Sequence, residues 1–286
     1  MPVIDTHVHL WDPDARSYPW LATPGLELLD RPYLLPHYQI ACAGMDVAGG
    51  VFVECDPAAD HALDEARFAL ELATKPGSPL LGVVARVSPE SACFPAELAA
   101  LLALPGAPRF LKGARRVLHT QPDDLSRSPG FRANVRALGR AGLSFDLCVL
   151  ARQLPVALEL AAACPDVSFI LDHCGVPDVK GRALDPWRAD LAALARLPNV
   201  ACKISGLVAY AASEWNEDDL RPFVEHAIGS FGWDRVMFGG DWPVCLLGAP
   251  LTRWHAALTT LLASAKQDEK DALFKGTAGR IYRLGE

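Results

Sequence analysis

Two imidazoles at alternate positions of an apolar run, His7 and His9 in Val3-Ile4-Asp5-Thr6-His7-Val8-His9-Leu10-Trp11, are the residues of this 286-residue chain best spaced for chemistry. A β-strand turns residues i, i+2 and i+4 to one face, so the spacing predicts that Asp5, His7 and His9 lie together and that both imidazoles converge on one point. Such a pair suits a metal centre or a catalytic centre. The alternative is that one ring closes the strand end while the other satisfies a buried hydrogen bond. Other groups of ligand or acid–base type stand just behind or within further apolar runs. They are Glu54, Arg115 and Arg116 with His119 following, Asp146, Asp172-His173, Lys203, and Asp241 in Phe-Gly-Gly-Asp-Trp-Pro. His173 and Asp241 are the candidates for acid–base work; Arg115, His119 and Trp242 are candidates for holding a ligand. Of the two neighbouring arginines, one must face away from the other across the pleat. His37, His61, His226 and His255 sit in helical or loop stretches and read as surface or packing residues.

The elements that position these groups follow a single rhythm. Strand-like runs at 3–8, 51–54, 80–87, 110–114, 144–149, 168–171, 200–204 and 235–238 alternate with Ala- and Leu-rich helical stretches. The helices fall at 58–74, 94–104, 130–141, 154–164, 187–197, 217–230 and 251–265, many preceded by Pro or a polar cap residue. Eight strands alternating with helices predict an α/β fold, a single (β/α)8 TIM barrel. A doubly wound open sheet is the other arrangement, but no glycine-rich phosphate loop follows the first strand. In a barrel the active site forms at the C-terminal ends of the strands, where the residues named above fall. Gly49-Gly50 introduce the second strand, and 267–282 form a terminal helix over the barrel. The stretch 11–36, with five prolines, is a long loop over one end. With 205–216 it is the place where specificity would be set, Trp11, Trp20, Tyr210 and Trp215 being either an aromatic wall or ordinary packing.

Composition narrows the function classes. A net charge of −7 argues against a nucleic-acid surface, and no apolar run reaches the length of a membrane span. The first strand begins at Val3, so a cytoplasmic protein is expected. Its eight cysteines show no C-x-x-C spacing and read as reduced, buried thiols. A small-molecule substrate is the expectation, and a homo-oligomer is left open.

Asp-Thr-His-Val-His-Leu-Trp, Leu-Lys-Gly-Ala-Arg-Arg, Leu-Asp-His-Cys-Gly-Val-Pro, Cys-Lys-Ile-Ser-Gly-Leu and Met-Phe-Gly-Gly-Asp-Trp-Pro-Val occur in that order along nearly the whole chain. Together they resemble the amidohydrolase superfamily, and within it the branch of fucono- and rhamnono-lactonases and pyrone-dicarboxylate lactonase. The resemblance implies one reaction centre built from His7, His9, His173 and Asp241, and hydrolysis of a sugar-acid lactone by activated water. It also implies at most one divalent ion, zinc by its ligand chemistry, on His7, His9 and Asp241 with His173 near. Arg115 and Asp146 stand where binuclear members have a bridging group and a further His. Some lactonases of the branch are thought to act without a metal, in which case the histidines would donate directly to the substrate carbonyl. The other readings are a decarboxylase of the same superfamily and a non-catalytic binding barrel.

Overall fold

A computed structural model describes residues 1–285. Eight parallel strands follow one another in chain order: β1 (Val3–Val8), β2 (Val47–Val53), β3 (Leu80–Arg86), β4 (Leu111–Val117), β5 (Ser144–Cys148), β6 (Phe169–Leu171), β7 (Val200–Ile204) and β8 (Val236–Phe238). Residues just beyond β8 close the ring against β1. Asp241 N–H donates to His7 O and His9 N–H to Trp242 O, both at 2.8 Å, and Thr6 Oγ1 donates to Phe238 O at 2.6 Å. The closing seam thus ties the predicted carboxylate to the predicted imidazoles through the backbone.

Helices cover the outside because their apolar residues recur at helical spacing. In Ala62–Thr74 the buried Ala66, Ala69, Leu70 and Ala73 form one stripe. Several starts are capped: Ser128 Oγ accepts the N–H of Phe131 ahead of Pro129–Arg140, and Asn216 and Asp219 form a reciprocal box at Glu217–Phe231. Among the described residues no helix is long and apolar enough to cross a membrane. All eight cysteines are free thiols, buried except Cys93.

Three layers fill the barrel. At the bottom Ile4, Val51, Val53, Val84, Ile170, Ala201 and Met237 pack with Tyr282 from the C-terminal segment. Above them lies a buried ionic layer containing Asp146, Lys203, Asp172 and Arg115, and above that the histidines. The Tyr282 hydroxyl crosses from the first layer to the second, donating to Asp146 Oδ2 at 3.0 Å.

Two expectations change here and one is met. Asp5 does not share a face with the imidazoles: the β1–β2 register shifts between Asp5 and Val8, breaking the two-residue alternation. Its carboxylate instead clamps the seam, accepting the N–H of Gly240 at 2.6 Å and the Tyr38 hydroxyl at 3.0 Å. Gly49 and Gly50 lie inside β2 rather than before it. A Cβ at Gly49 would come within 2.3 Å of Leu81 Cδ1, so glycine there lets the neighbouring chain approach. The terminal segment is helical and closes the barrel as expected, Gln267–Asp271 to Thr277–Ile281 with a π-helical turn at Ala272–Gly276, at the end away from the histidines.

Candidate active site

Four side chains meet above the ionic layer. His7 Nε2 lies 3.1 Å from His9 Nε2, and Asp241 Oδ1 lies 3.5 Å from His9 Nε2, 3.8 Å from His7 Nε2 and 3.9 Å from His173 Nε2. Each ring is anchored through its other nitrogen. His9 Nδ1 donates to Val53 O at 2.8 Å, and His173 Nδ1 pairs with Ser205 Oγ at 2.9 Å. His7 Nδ1 sits 3.2 Å from Lys203 Nζ and 3.3 Å from Asp172 Oδ1. All three Nε2 atoms therefore converge on one carboxylate.

The backbone is strained where it delivers two of these groups. His173 (φ 53°) and Asp241 (φ 56°) are both left-handed, as are Cys174 and Val176 beside His173. Non-glycine residues adopt this conformation at a cost that surrounding packing must offset, and such residues gather at functional sites. Gly206 (φ 69°) faces His173, and a Cβ there would lie 2.6 Å from His173 Nδ1. Gly206→Ala is expected to destabilise the fold by about 1–2 kcal/mol from the backbone alone and to dislodge the ring. Urea unfolding checks this; an unchanged midpoint would show that the turn relaxes freely.

The ionic layer sets the electrostatics. Arg115 donates from Nε and Nη2 to Glu54 Oε1 and Glu54 O, both at 2.6 Å, and from Nη1 to Asp172 Oδ2 at 3.1 Å. Lys203 reaches Asp146 Oδ2 at 2.6 Å and Asp172 Oδ1 at 2.9 Å. Burial alone would raise Asp172, but Lys203, His7 and Arg115 outweigh it and hold its carboxyl well below the usual range. Burial pushes Asp241 up to about 6 against the pull of His173 and Arg115. Burial, with Arg115, holds His9 down at about 3, and burial lowers His7 and His173 too, so the rings are neutral at pH 7.

A cavity of about 350 Å³ opens onto this centre; His9, Arg115, His119, His173 and Asp241 line it. Trp11, Trp20 and Tyr210 from the two long loops form part of its wall, whereas Trp215 packs elsewhere, stacked on Arg253. His119 lies in the wall with Nδ1 3.4 Å from the Cys148 thiol. Arg115 reaches the cavity, but Glu54 and Asp172 engage most of its N–H groups, which leaves little donor capacity for a ligand. Trp242 is placed behind the centre, its ring against Tyr33 and Tyr38 and away from the cavity lining. Arg116 points outward to Glu90.

The donor set suits one divalent ion. Ligand atoms of a tetrahedral zinc site stand about 3.3 Å apart, and the edges among His7, His9 and Asp241 run from 3.1 to 3.8 Å. The carbonyl on His9 Nδ1 is the outer contact that leaves Nε2 free to ligate. Sequence reasoning leaves Lys203 between a pocket cation and a structural partner of a neighbouring carboxylate, and the structure pairs it with Asp146 and Asp172; Ser205 it does not single out. Strand parity carried the signal for Lys203: Ala201 faces the interior, so Lys203 two residues on does too. Ser205 lies beyond β7, where parity ends.

A histidine–carboxylate centre at the mouth of a parallel barrel suits the activation of water by a hydrolase. The chain belongs to the amidohydrolase family, whose profile matches residues 4–284. It is 34% identical over 299 residues to an L-fucono-1,5-lactonase of Burkholderia multivorans, covering 99% of this chain and 96% of that one. A second L-fucono-1,5-lactonase, from Burkholderia ambifaria, is 28% identical over 98% of this chain and 95% of its own. Among solved structures, an amidohydrolase of Burkholderia multivorans with bound zinc superimposes with a TM-score of 0.89 at 30% identity, covering 99% of this chain and 100% of that one.

Proposed function

We propose that this protein hydrolyses a sugar-acid lactone, with Asp241 as the general base. The observation that carries the reading is a buried carboxylate ringed by three neutral imidazoles on the wall of a substrate-sized cavity. The likeness to L-fucono-1,5-lactonases supports the choice of lactone over other esters. Asp241 takes a proton from the attacking water, which it can do because it is ionised above about pH 6. Ser205 Oγ already accepts the backbone N–H of His173, so we assign its hydroxyl as donor to His173 Nδ1, which puts Nε2–H toward the lactone carbonyl and its tetrahedral oxyanion. His119, in the cavity wall, holds a substrate hydroxyl or carboxylate. The protonated Asp241 returns its proton to the departing ring oxygen.

His7, His9 and Asp241, with His173 beside them, would hold a zinc ion, which when bound supplies Lewis-acid polarisation of the carbonyl. A panel of aldonolactones followed with a pH indicator tests the function, since each opening releases one proton at neutral pH. Turnover of at least one aldonolactone is the expected result. Binding without turnover across lactones and esters would overturn it, as would carbon dioxide release from a carboxylated substrate as the sole reaction.

A further inference from the structure

We propose that Lys203 is a positioning residue: it fixes the proton of His7 on Nε2, so that His7 enters the centre as a hydrogen-bond donor, and it thereby weakens the centre's hold on a divalent ion. Lys203 is fully buried, and its ammonium group has three hydrogens and no lone pair. Around Nζ stand Asp146 Oδ2 at 2.6 Å, Asp172 Oδ1 at 2.9 Å and His7 Nδ1 at 3.2 Å. A nitrogen facing an ammonium hydrogen must offer its lone pair. Asp172 Oδ1, 3.3 Å from the same Nδ1, would draw a proton there, but the Lys203 ammonium stands nearer to it, at 2.9 Å, and supplies its hydrogen. A neutral His7 then carries its one proton on Nε2.

His9 reaches a matching state by a separate route. Its Nδ1 faces the carbonyl oxygen of Val53, which only accepts, so the proton is on Nδ1 and Nε2 is bare. His7 Nε2–H and the bare His9 Nε2 stand 3.1 Å apart, donor to acceptor. The opposite form of His7 would set two lone pairs face to face at that distance and an N–H against Lys203. Besides Asp172 Oδ1, a second contact pulls the other way: Arg115 Nη1 lies 3.3 Å from His7 Nε2. Arg115 has carboxylate acceptors in Glu54 and Asp172 and does not depend on this one.

Ligation through His7 Nε2 requires its proton to move to Nδ1, directly against the Lys203 ammonium. The tautomer is a property of the resting protein, independent of which lactone the cavity takes. Long-range ¹⁵N–¹H correlation spectra of the ¹⁵N-histidine-labelled wild-type chain, treated with a chelator, read it directly, with His7 and His9 assigned by their loss in His7→Gln and His9→Gln. The expected result is His7 protonated on Nε2 and His9 on Nδ1, with added zinc transferring the His7 proton to Nδ1. A His7 proton on Nδ1 before zinc is added would overturn the proposal. Calorimetric zinc titration gives the second reading: Lys203→Gln, or Lys203→Met with Asp146→Asn to keep the buried charges balanced, should bind zinc at least about tenfold more tightly. Equal affinity in a variant whose circular dichroism is native would also overturn it. The wild-type spectrum decides the matter even if neither variant folds.

Discussion

Asp241→Asn lowers kcat for lactone opening by about two orders of magnitude or more while KM stays close to wild type. The amide keeps the shape of the side chain and cannot accept the proton of the attacking water. Three neutral imidazoles remain within 3.5–3.9 Å of residue 241, so the pocket that binds substrate persists. The wild-type pH profile carries the same information. Burial raises the Asp241 carboxyl to about 6, and a base works only when ionised, so activity is present above pH 6 and lost as pH falls through it. The acid limb should vanish in Asp241→Asn. A variant that opens lactones at the wild-type rate, or keeps the limb, would remove Asp241 from the role of base.

Arg115→Met unfolds more easily by about 3–5 kcal/mol, because removing one partner of a buried ion pair strands the others. Glu54 and Asp172 are both fully buried and both rely on this guanidinium, at 2.6 Å and 3.1 Å. Arg115→Lys should recover only part of the loss. An ammonium cannot span Glu54 Oε1, Glu54 O and Asp172 Oδ2 at once as the planar guanidinium does. Urea denaturation at pH 7 measures both variants through the shift in midpoint at constant slope. Wild-type stability in Arg115→Met would mean that the two carboxylates are satisfied or protonated by other means.

Much of this molecule is legible in its sequence for one physical reason: strand and helix periodicities are local. All eight strand positions follow from apolar runs, and β1 and β7 match the observed bounds, Val3–Val8 and Val200–Ile204. The same locality places His7, His9, His173 and Asp241 at strand ends, where a barrel gathers its chemistry. The pleat likewise separates Arg115 from Arg116, one facing Glu54 and the other Glu90.

What lies between elements is not local, and only the folded chain decides it. Asp5 reads as a third member of the His7/His9 face until the register shift of β1 against β2 turns it to the seam, where it holds Gly240. Trp242 stands beside Asp241 in the chain, yet its ring packs with Tyr33 and Tyr38, which lie far away in sequence. Arg115 reads as a ligand-binding cation, but β2 and β6 supply the carboxylates that occupy it. By itself the sequence determined the barrel and the groups at its mouth, since residue type and a two-residue period suffice for both. Which of those groups touch, and so which are neutral, charged or free to meet a substrate, was decided by tertiary structure: hydrogen bonds and ion pairs act over a few ångströms, and only folding brings residues such as Asp5 and Gly240, 235 positions apart, within that range.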